Sequence, residues 1–360
     1  MNISITILSA LCLLLFARTS WSGIDECLKV FYEGKFEVAY KTCEPLATQG
    51  DDKAQLVLGL MYESGRGVSR NSKEALAWWT RSADQGNYDA LMKMVTYYSS
   101  RNDPLEYKEA AVWCRKAAER GDVMSQFSLG MFYYNGQGVP QDYVEAAIWF
   151  RKAAEKGMSQ ARFNLGVAYL YGQGVPQDDK EAFTWFRKAA EQNSVKAQAN
   201  LAIMYFKGKG VRKDYKQAVV WFRKAAEQGD ASSQNVLGLL YYKGENVPQN
   251  FKEAIKWFRK AADQGVHQSQ FIIGVMYSKG QGVPNNNIVA YAICSQVAEH
   301  MPDAANLGKT LAQNMSKKEV EKAVKLSAEL ANPGNFQAAL DAYLLNNPVK
   351  AAGGKNKKMN

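Results

Sequence analysis

Tryptophan returns along this chain at a nearly constant step: Trp78, Trp113, Trp149, Trp185, Trp221 and Trp257 lie 35, 36, 36, 36 and 36 residues apart. Other residues keep the same step. A tyrosine series runs Tyr62, Tyr98, Tyr133, Tyr169, Tyr205, Tyr241, Tyr277, and a small-residue series runs Gly59, Gly130, Gly166, Ala202, Gly238, Gly274. A period of this size means one supersecondary unit stacked on copies of itself.

Each unit reads as two helices. The first carries Leu-Gly-x-x-Tyr, as in Leu165 to Tyr169. Glycine inside a helix costs about 1 kcal/mol against alanine, so its return in unit after unit predicts a second helix crossing there at close range. The second helix carries Ala-x-x-Trp-Phe-x-x-Ala-Ala, as in Ala182 to Ala190, an apolar stripe of helical period. Between them lies Gly-x-Gly-Val-Pro, as in Gly136 to Pro140, with glycines suited to positive φ and a proline that stops continuation. Asn71, Glu106, Asp142, Asp178, Asp214, Asn250 and Asn286 open the second helices. Glu74, Glu109, Glu145, Glu181, Gln217 and Glu253 follow three residues after the first six of these, a capping-box pattern.

On these motifs the chain resembles the Sel1-like repeat family, relatives of the tetratricopeptide repeat, over about residues 54–304. The resemblance implies an all-α fold, an α-α superhelix in which helical hairpins form a right-handed solenoid. Two units depart from the pattern. One has Ser99 to Asp103 where the glycine loop belongs and Val95 for glycine; the last has Ile293 for tryptophan. Residues 23–53 read as a degenerate N-terminal capping hairpin. Residues 305–349 read as C-terminal capping helices, one opening at Ser316 and a short last one reaching Leu345. Capping units cover the apolar face that a repeat array would otherwise expose. The tail 350–360 holds four lysines and no acid and reads as disordered.

The chain begins differently. Residues 3–17 are almost wholly apolar, too short for a comfortable bilayer span, and Ser20, Trp21 and Ser22 follow. Residues 1–22 therefore read as a secretory signal cleaved near Ser22, with an uncleaved anchor as the alternative. Export fits the cysteines. Cys27 and Cys43 flank the Gly34-Lys35 turn at similar distances, which in a helical hairpin sets them side by side. A disulfide there would contribute roughly 3 kcal/mol in an oxidising compartment. Cys114 and Cys294 stand where large apolar residues stand in other units and read as core. With these features the resemblance implies a periplasmic or secreted protein of a Gram-negative bacterium.

Chemistry is hard to find. The recurring glycine loops lie between helices, where a phosphate loop follows a strand and occurs once. Gly-x-Ser-x-Gly and Ser-x-x-Lys are absent. His267 and His300, the two histidines, have no partner at ligand spacing and read as solvent-facing. No catalytic, cofactor-binding or metal-binding residue is assigned, no cofactor is expected, and the chain does not read as an enzyme. The net charge of +10 falls to about +5 once Arg18 and the four tail lysines are set aside (45 less five, or 40, basic residues against 35 acidic), too little to argue for nucleic acid. Arg115, Arg151, Arg187, Arg223 and Arg259 each have an acid four residues on (Glu119, Glu155, Glu191, Glu227 and Asp263), which reads as a compensated, solvated helix face.

The first helices are more informative. In tetratricopeptide relatives, first-helix positions around the Leu-Gly anchor line a concave groove. By that resemblance the groove here comprises Phe127, Met131 and Tyr134; Phe163 and Tyr171; Phe206 and Lys207; Tyr242 and Lys243; and Phe271 and Lys279. Each ring has a second reading, as core between neighbouring helices; Lys207, Lys243 and Lys279, 36 residues apart, fit core less well. The resulting expectation is an exported scaffold that grips a protein or peptide partner, with acidic character to match the lysines. An alternative is cell-wall or β-lactam-related binding or hydrolysis, suggested by cysteine-rich relatives, whose regular cysteine pair in each repeat is missing here.

Overall fold

The computed structural model describes residues 23–99, 104–332 and 334–348; the expected signal and tail, and Ser100 to Asp103, lie outside them. The described residues hold nineteen α-helices and no strand. Their contacts divide the chain into two units, Met1–Ala161 with Gln173–Val175, and Arg162–Gly172 with Pro176–Asn360.

In the first unit four hairpins follow in order: α1 (Gly23–Tyr32) with α2 (Phe36–Thr48), α3 (Asp52–Ser64) with α4 (Ser72–Asp84), α5 (Tyr88–Ser99) with α6 (Pro104–Glu119), and α7 (Val123–Asn135) with α8 (Tyr143–Glu155). Each helix packs on the next in sequence. Cys27 and Cys43, both fully buried, face each other across the first hairpin with their sulfurs at bonding distance and Cα atoms 5.0 Å apart. Cys114 is buried in the Trp79, Trp113 and Trp149 cluster, and burial pushes its thiol up to about 12.

The second unit takes up α9 (Ser159–Tyr171) from Arg162 and continues with α10 (Asp179–Ala190), α11 (Val195–Lys207), α12 (Tyr215–Glu227), α13 (Ala231–Lys243), α14 (Phe251–Asp263), α15 (His267–Lys279) and α16 (Asn287–Val297). Three helices end it. α17 (Pro302–Gln313) runs across the point, 304/305, where the sequence reading places a boundary. α18 (Lys317–Leu330) packs on α16, and α19 (Phe336–Asn346) packs on α14. Leu326, Leu330, Phe336 and Leu340 thereby join Phe258 and Ile293 in one buried cluster.

The helix crossings answer the glycine series. A Cβ added to Gly59 would lie 2.3 Å from the Trp79 ring, and one added to Gly238 would lie 2.5 Å from the Phe258 ring. The first helix can approach its partner this closely only where a side chain is missing. The joints between helices differ from the sequence expectation. Asn71, Asp142 and Asp178 accept from the backbone N–H groups two and three residues on, as a cap should. Their own N–H groups do not receive the glutamate of a capping box. They donate to the tyrosine carbonyl of the preceding helix: Asn71 to Tyr62 at 2.9 Å, Asp142 to Tyr133 at 2.9 Å, Asp178 to Tyr169 at 3.0 Å. Asp214, Asn250 and Asn286 repeat this bond to Tyr205, Tyr241 and Tyr277. The cap donor is already satisfied across the loop, so the glutamates are released: Glu145 and Glu181 accept from the indoles of Trp149 and Trp185, each at 3.1 Å. The reciprocal box forms at Ser316 and Glu319. Glu106 is not a cap, because α6 starts two residues earlier at Pro104.

The arginines also depart from expectation. Arg187 keeps its i+4 acid, Glu191, at 4.0 Å. Arg115 instead donates to the Tyr133 hydroxyl, Arg223 to the Tyr241 hydroxyl at 2.6 Å, and Arg259 to Asp341. A phenol on the next hairpin is a fixed acceptor, whereas an exposed carboxylate one turn away on the same helix must be held against its own entropy. A polar layer accompanies this. The amides of buried Gln55, Gln126, Gln198, Gln234 and Gln270 donate to the alanine carbonyl eight residues earlier. Gln85, Gln228 and Gln264 donate in turn to Gln55, Gln198 and Gln234. His300 occupies the corresponding position for Gln270; its ring lies 4.2 Å from that of His267, tilted by 51°, and His300 is exposed while His267 is half-buried.

Candidate partner-binding face

A first helix opens after a second helix ends, and Asp122 shows how one is placed. Its carboxylate accepts from Ser125 N at 2.6 Å and from the Tyr88 hydroxyl at 2.5 Å. Burial pushes Asp122 up, but the bonds from Ser125 and Tyr88 outweigh it and hold the group below the ordinary carboxylate value. The Tyr88 hydroxyl is correspondingly pushed up to about 12, first by that bond and then by burial.

In the first unit Phe127, Met131 and Tyr134 lie on successive turns of α7, all half-buried. Phe127 sits 5.9 Å from the Phe150 ring, and Tyr134 meets Tyr143 edge-on at 5.3 Å. In the second unit Phe163 lies 5.7 Å from Phe186, Phe206 meets Tyr215 edge-on at 5.2 Å, and Tyr242 meets Phe251 edge-on at 5.6 Å. Burial raises the pKa of Tyr242, whose hydroxyl donates to Gln281 Oε1 at 3.1 Å. Phe271 packs against Cys294, Val297 and Ala304. These rings therefore brace their own hairpins and show only part of their surface. The exposed members of the set are Tyr171, at 67%, and Lys207, Lys243 and Lys279. Lys243 is 4.0 Å from Glu245.

The sequence reading missed a second group of exposed cations directly after Lys207. The loop between α11 and α12 carries Lys209, Arg212 and Lys213, and α12 adds Lys216. The available signal was the loop's departure from its sisters: Gln-Gly-Val-Pro-Gln at 137–141 and 173–177 becomes Lys-Gly-Val-Arg-Lys at 209–213. Among the described residues no three His, Cys, Asp or Glu side chains gather as a metal site would need.

A family model described as the Sel1 repeat matches residues 52–87, 101–122, 123–158, 159–194, 195–230, 231–266 and 267–298, more than half of the chain. Chitin synthase regulatory factor 3 of Schizosaccharomyces pombe is 32% identical over 102 residues, 27% of this chain, which spans 10% of that relative's length. A Sel1 repeat protein from Oxalobacter formigenes superposes with a TM-score of 0.64 at 31% identity, covering 81% of this chain and 87% of that one. c5321, a protective antigen of uropathogenic Escherichia coli strains with an SLR fold, superposes with a TM-score of 0.55 at 28% identity, covering 90% of this chain and 77% of that one.

Proposed function

Because the chain belongs to the Sel1 repeat family, we propose that it is an exported scaffold whose first helices in the second unit hold a protein or peptide partner. The observation that carries this reading is the recurrence of one surface in consecutive hairpins. A ring braced on its own hairpin (Phe206, Tyr242) precedes an exposed lysine (Lys207, Lys243), and Lys279 stands at the same step beyond. Braced rings lose little freedom on binding, and peripheral cations add steering and selectivity.

Export rests on the apolar stretch at residues 3–17 and on the Cys27–Cys43 geometry, which suits a disulfide formed outside a reducing compartment. A bacterial periplasm or exterior agrees with the bacterial origin of the two structural neighbours. Among the described residues no helix is long and apolar enough to cross a membrane.

The test uses the chain without residues 1–22 as bait in an envelope extract, beside the variant Tyr171→Ser/Lys207→Gln/Lys279→Gln. These side chains are exposed, so the variant should keep the wild-type melting temperature while losing the captured partner. Equal capture by both would refute the face.

A further inference from the structure

We propose that residues 207–216 form a docking site for an acidic peptide segment, a reading that rests on the partner-binding role above and names the chemistry of what is bound. These ten residues hold Lys207, Lys209, Arg212, Lys213 and Lys216 against one acid, Asp214. All five cations are exposed, and among the described residues none of them makes an ion pair. The Asp214 carboxylate caps α12 by accepting from Gln217 N at 3.0 Å. Asp179 also lies against this loop: a Cβ on Gly210 would lie 1.9 Å from its carbonyl oxygen, and one of its carboxylate oxygens is buried without a hydrogen bond.

The loop places its charges at the expense of structural devices that its sisters keep. In four sister loops the residue matching Lys213 is an amide that donates to the carbonyl seven residues earlier: Gln141 to Tyr134, Gln177 to Leu170, Gln249 to Tyr242, each at 2.9–3.0 Å, and Asn285 to Ser278; in the first loop Arg70 stands there and pairs with Glu63. Lys213 makes no such bond; its ammonium lies 5.9 Å from the Tyr215 ring centre. Arg212 replaces the proline found at 140, 176, 248 and 284. Arg212, Lys213 and Lys216, with Tyr205, Val211 and Tyr215, line an open depression of about 650 Å³.

The four ammonium groups are separate point charges and Arg212 is a single guanidinium, so the loop does not gather several arginine forks on one phosphate. Their spacing suits several carboxylates along an extended chain, with the tyrosines and Val211 taking its apolar side chains. The next loop places Glu245 where this one has Lys209, and the first loop, which repeats the cations as Arg66, Arg70 and Lys73, pairs Arg70 with Glu63 at 3.3 Å. Lys207 ends α11 directly after Phe206, so the acidic segment would continue onto the proposed partner-binding face.

The test compares the wild-type chain with K209Q/R212P/K213Q, which restores the sister sequence Gln-Gly-Val-Pro-Gln and so gives back the tether and the proline. A control, K317Q/K318Q/K325Q, removes three exposed charges from α18. Binding of fluorescein-labelled deca-glutamate is read by anisotropy at 50 mM and 300 mM NaCl, with inorganic pyrophosphate as competitor. At low salt the loop variant should bind about tenfold more weakly, the scale of a few exposed ion pairs, with a flatter salt dependence and an unlowered melting temperature; the control should stay within twofold. Failure of deca-glutamate to bind, equal weakening in the control, or displacement by micromolar pyrophosphate would each overturn the proposal, the last by showing a phosphate site. If the loop variant still captures the native partner while the Tyr171→Ser/Lys207→Gln/Lys279→Gln variant does not, this inference fails and the partner-binding reading stands.

Discussion

Gly238 offers a sharp check on the packing, because two effects of known sign compete there. Replacing glycine by alanine in a helix interior gains about 1 kcal/mol from propensity. Here the new Cβ would lie 2.5 Å from two carbons of the Phe258 ring. The ring is fully buried and belongs to the cluster that α18 and α19 cover, so it cannot swing into solvent. Relief requires about 1 Å of movement in a packed core, and such overpacking costs about 1–3 kcal/mol. Gly238→Ala should therefore be neutral to destabilising by about 2 kcal/mol, and Gly238→Val should cost more than 3 kcal/mol because the branched carbon also meets the ring. Ala202, at the equivalent position against Phe222, supplies the reverse case. Ala202→Gly should lose about 1 kcal/mol through propensity, and a further ~1 kcal/mol through the methyl buried beside Phe222. Urea unfolding followed by tryptophan fluorescence gives the midpoints. Hydrogen exchange in α13 and α11 locates the loss, since repeat arrays open locally. A Gly238→Ala chain more stable than wild type by the full propensity gain would refute the close crossing.

Three other outcomes follow from the same geometry. The exported chain, denatured without reductant, should show two reactive thiols, Cys114 and Cys294; reduction of Cys27 and Cys43 should destabilise the first hairpin by about 3 kcal/mol, and four thiols would remove the bridge. Asp122 has a folded pKa below its ordinary value of 3.8, so its contribution is complete above that value and fades as pH falls through the lower folded one; Asp122→Asn should lower the melting temperature at pH 7, with the gap to wild type closing below about pH 4, and a gap constant down to pH 2 would contradict this. Arg223→Gln should cost about 1 kcal/mol through loss of the Tyr241 bond, whereas Glu227→Gln should change the urea midpoint little; the opposite order would restore the i+4 pairing.

Much of the fold was legible because it is written in spacing. The tryptophan step gave the hairpins, the recurring glycine announced the crossing at Phe258, and the cysteine distances placed Cys27 opposite Cys43. What could not be read is which of two partners wins. Asn71 has a glutamate three residues on, and only the fold reveals that the Tyr62 carbonyl is already at its N–H. Arg223 has Glu227 one turn away, and only the neighbouring hairpin reveals Tyr241. The rings at Phe206 and Tyr242 are apolar residues at helical spacing under either reading; their half-burial depends on Tyr215 and Phe251 coming back across the loop. The cationic loop was visible as a broken pattern, but a broken pattern gains meaning only once its sisters' amide tethers are known.

The bonds from each cap N–H to a tyrosine carbonyl, unlike the glutamine tethers, involve main-chain atoms on both sides. Mutation of side chains in the intervening loop leaves them untouched, so each connection behaves as an interchangeable cassette: its ends are fixed while its chemistry is free to diverge. Duplication or loss of a whole hairpin would leave every such joint intact. A lineage can thus lengthen the array or rewrite one loop's specificity without renegotiating the frame that carries it.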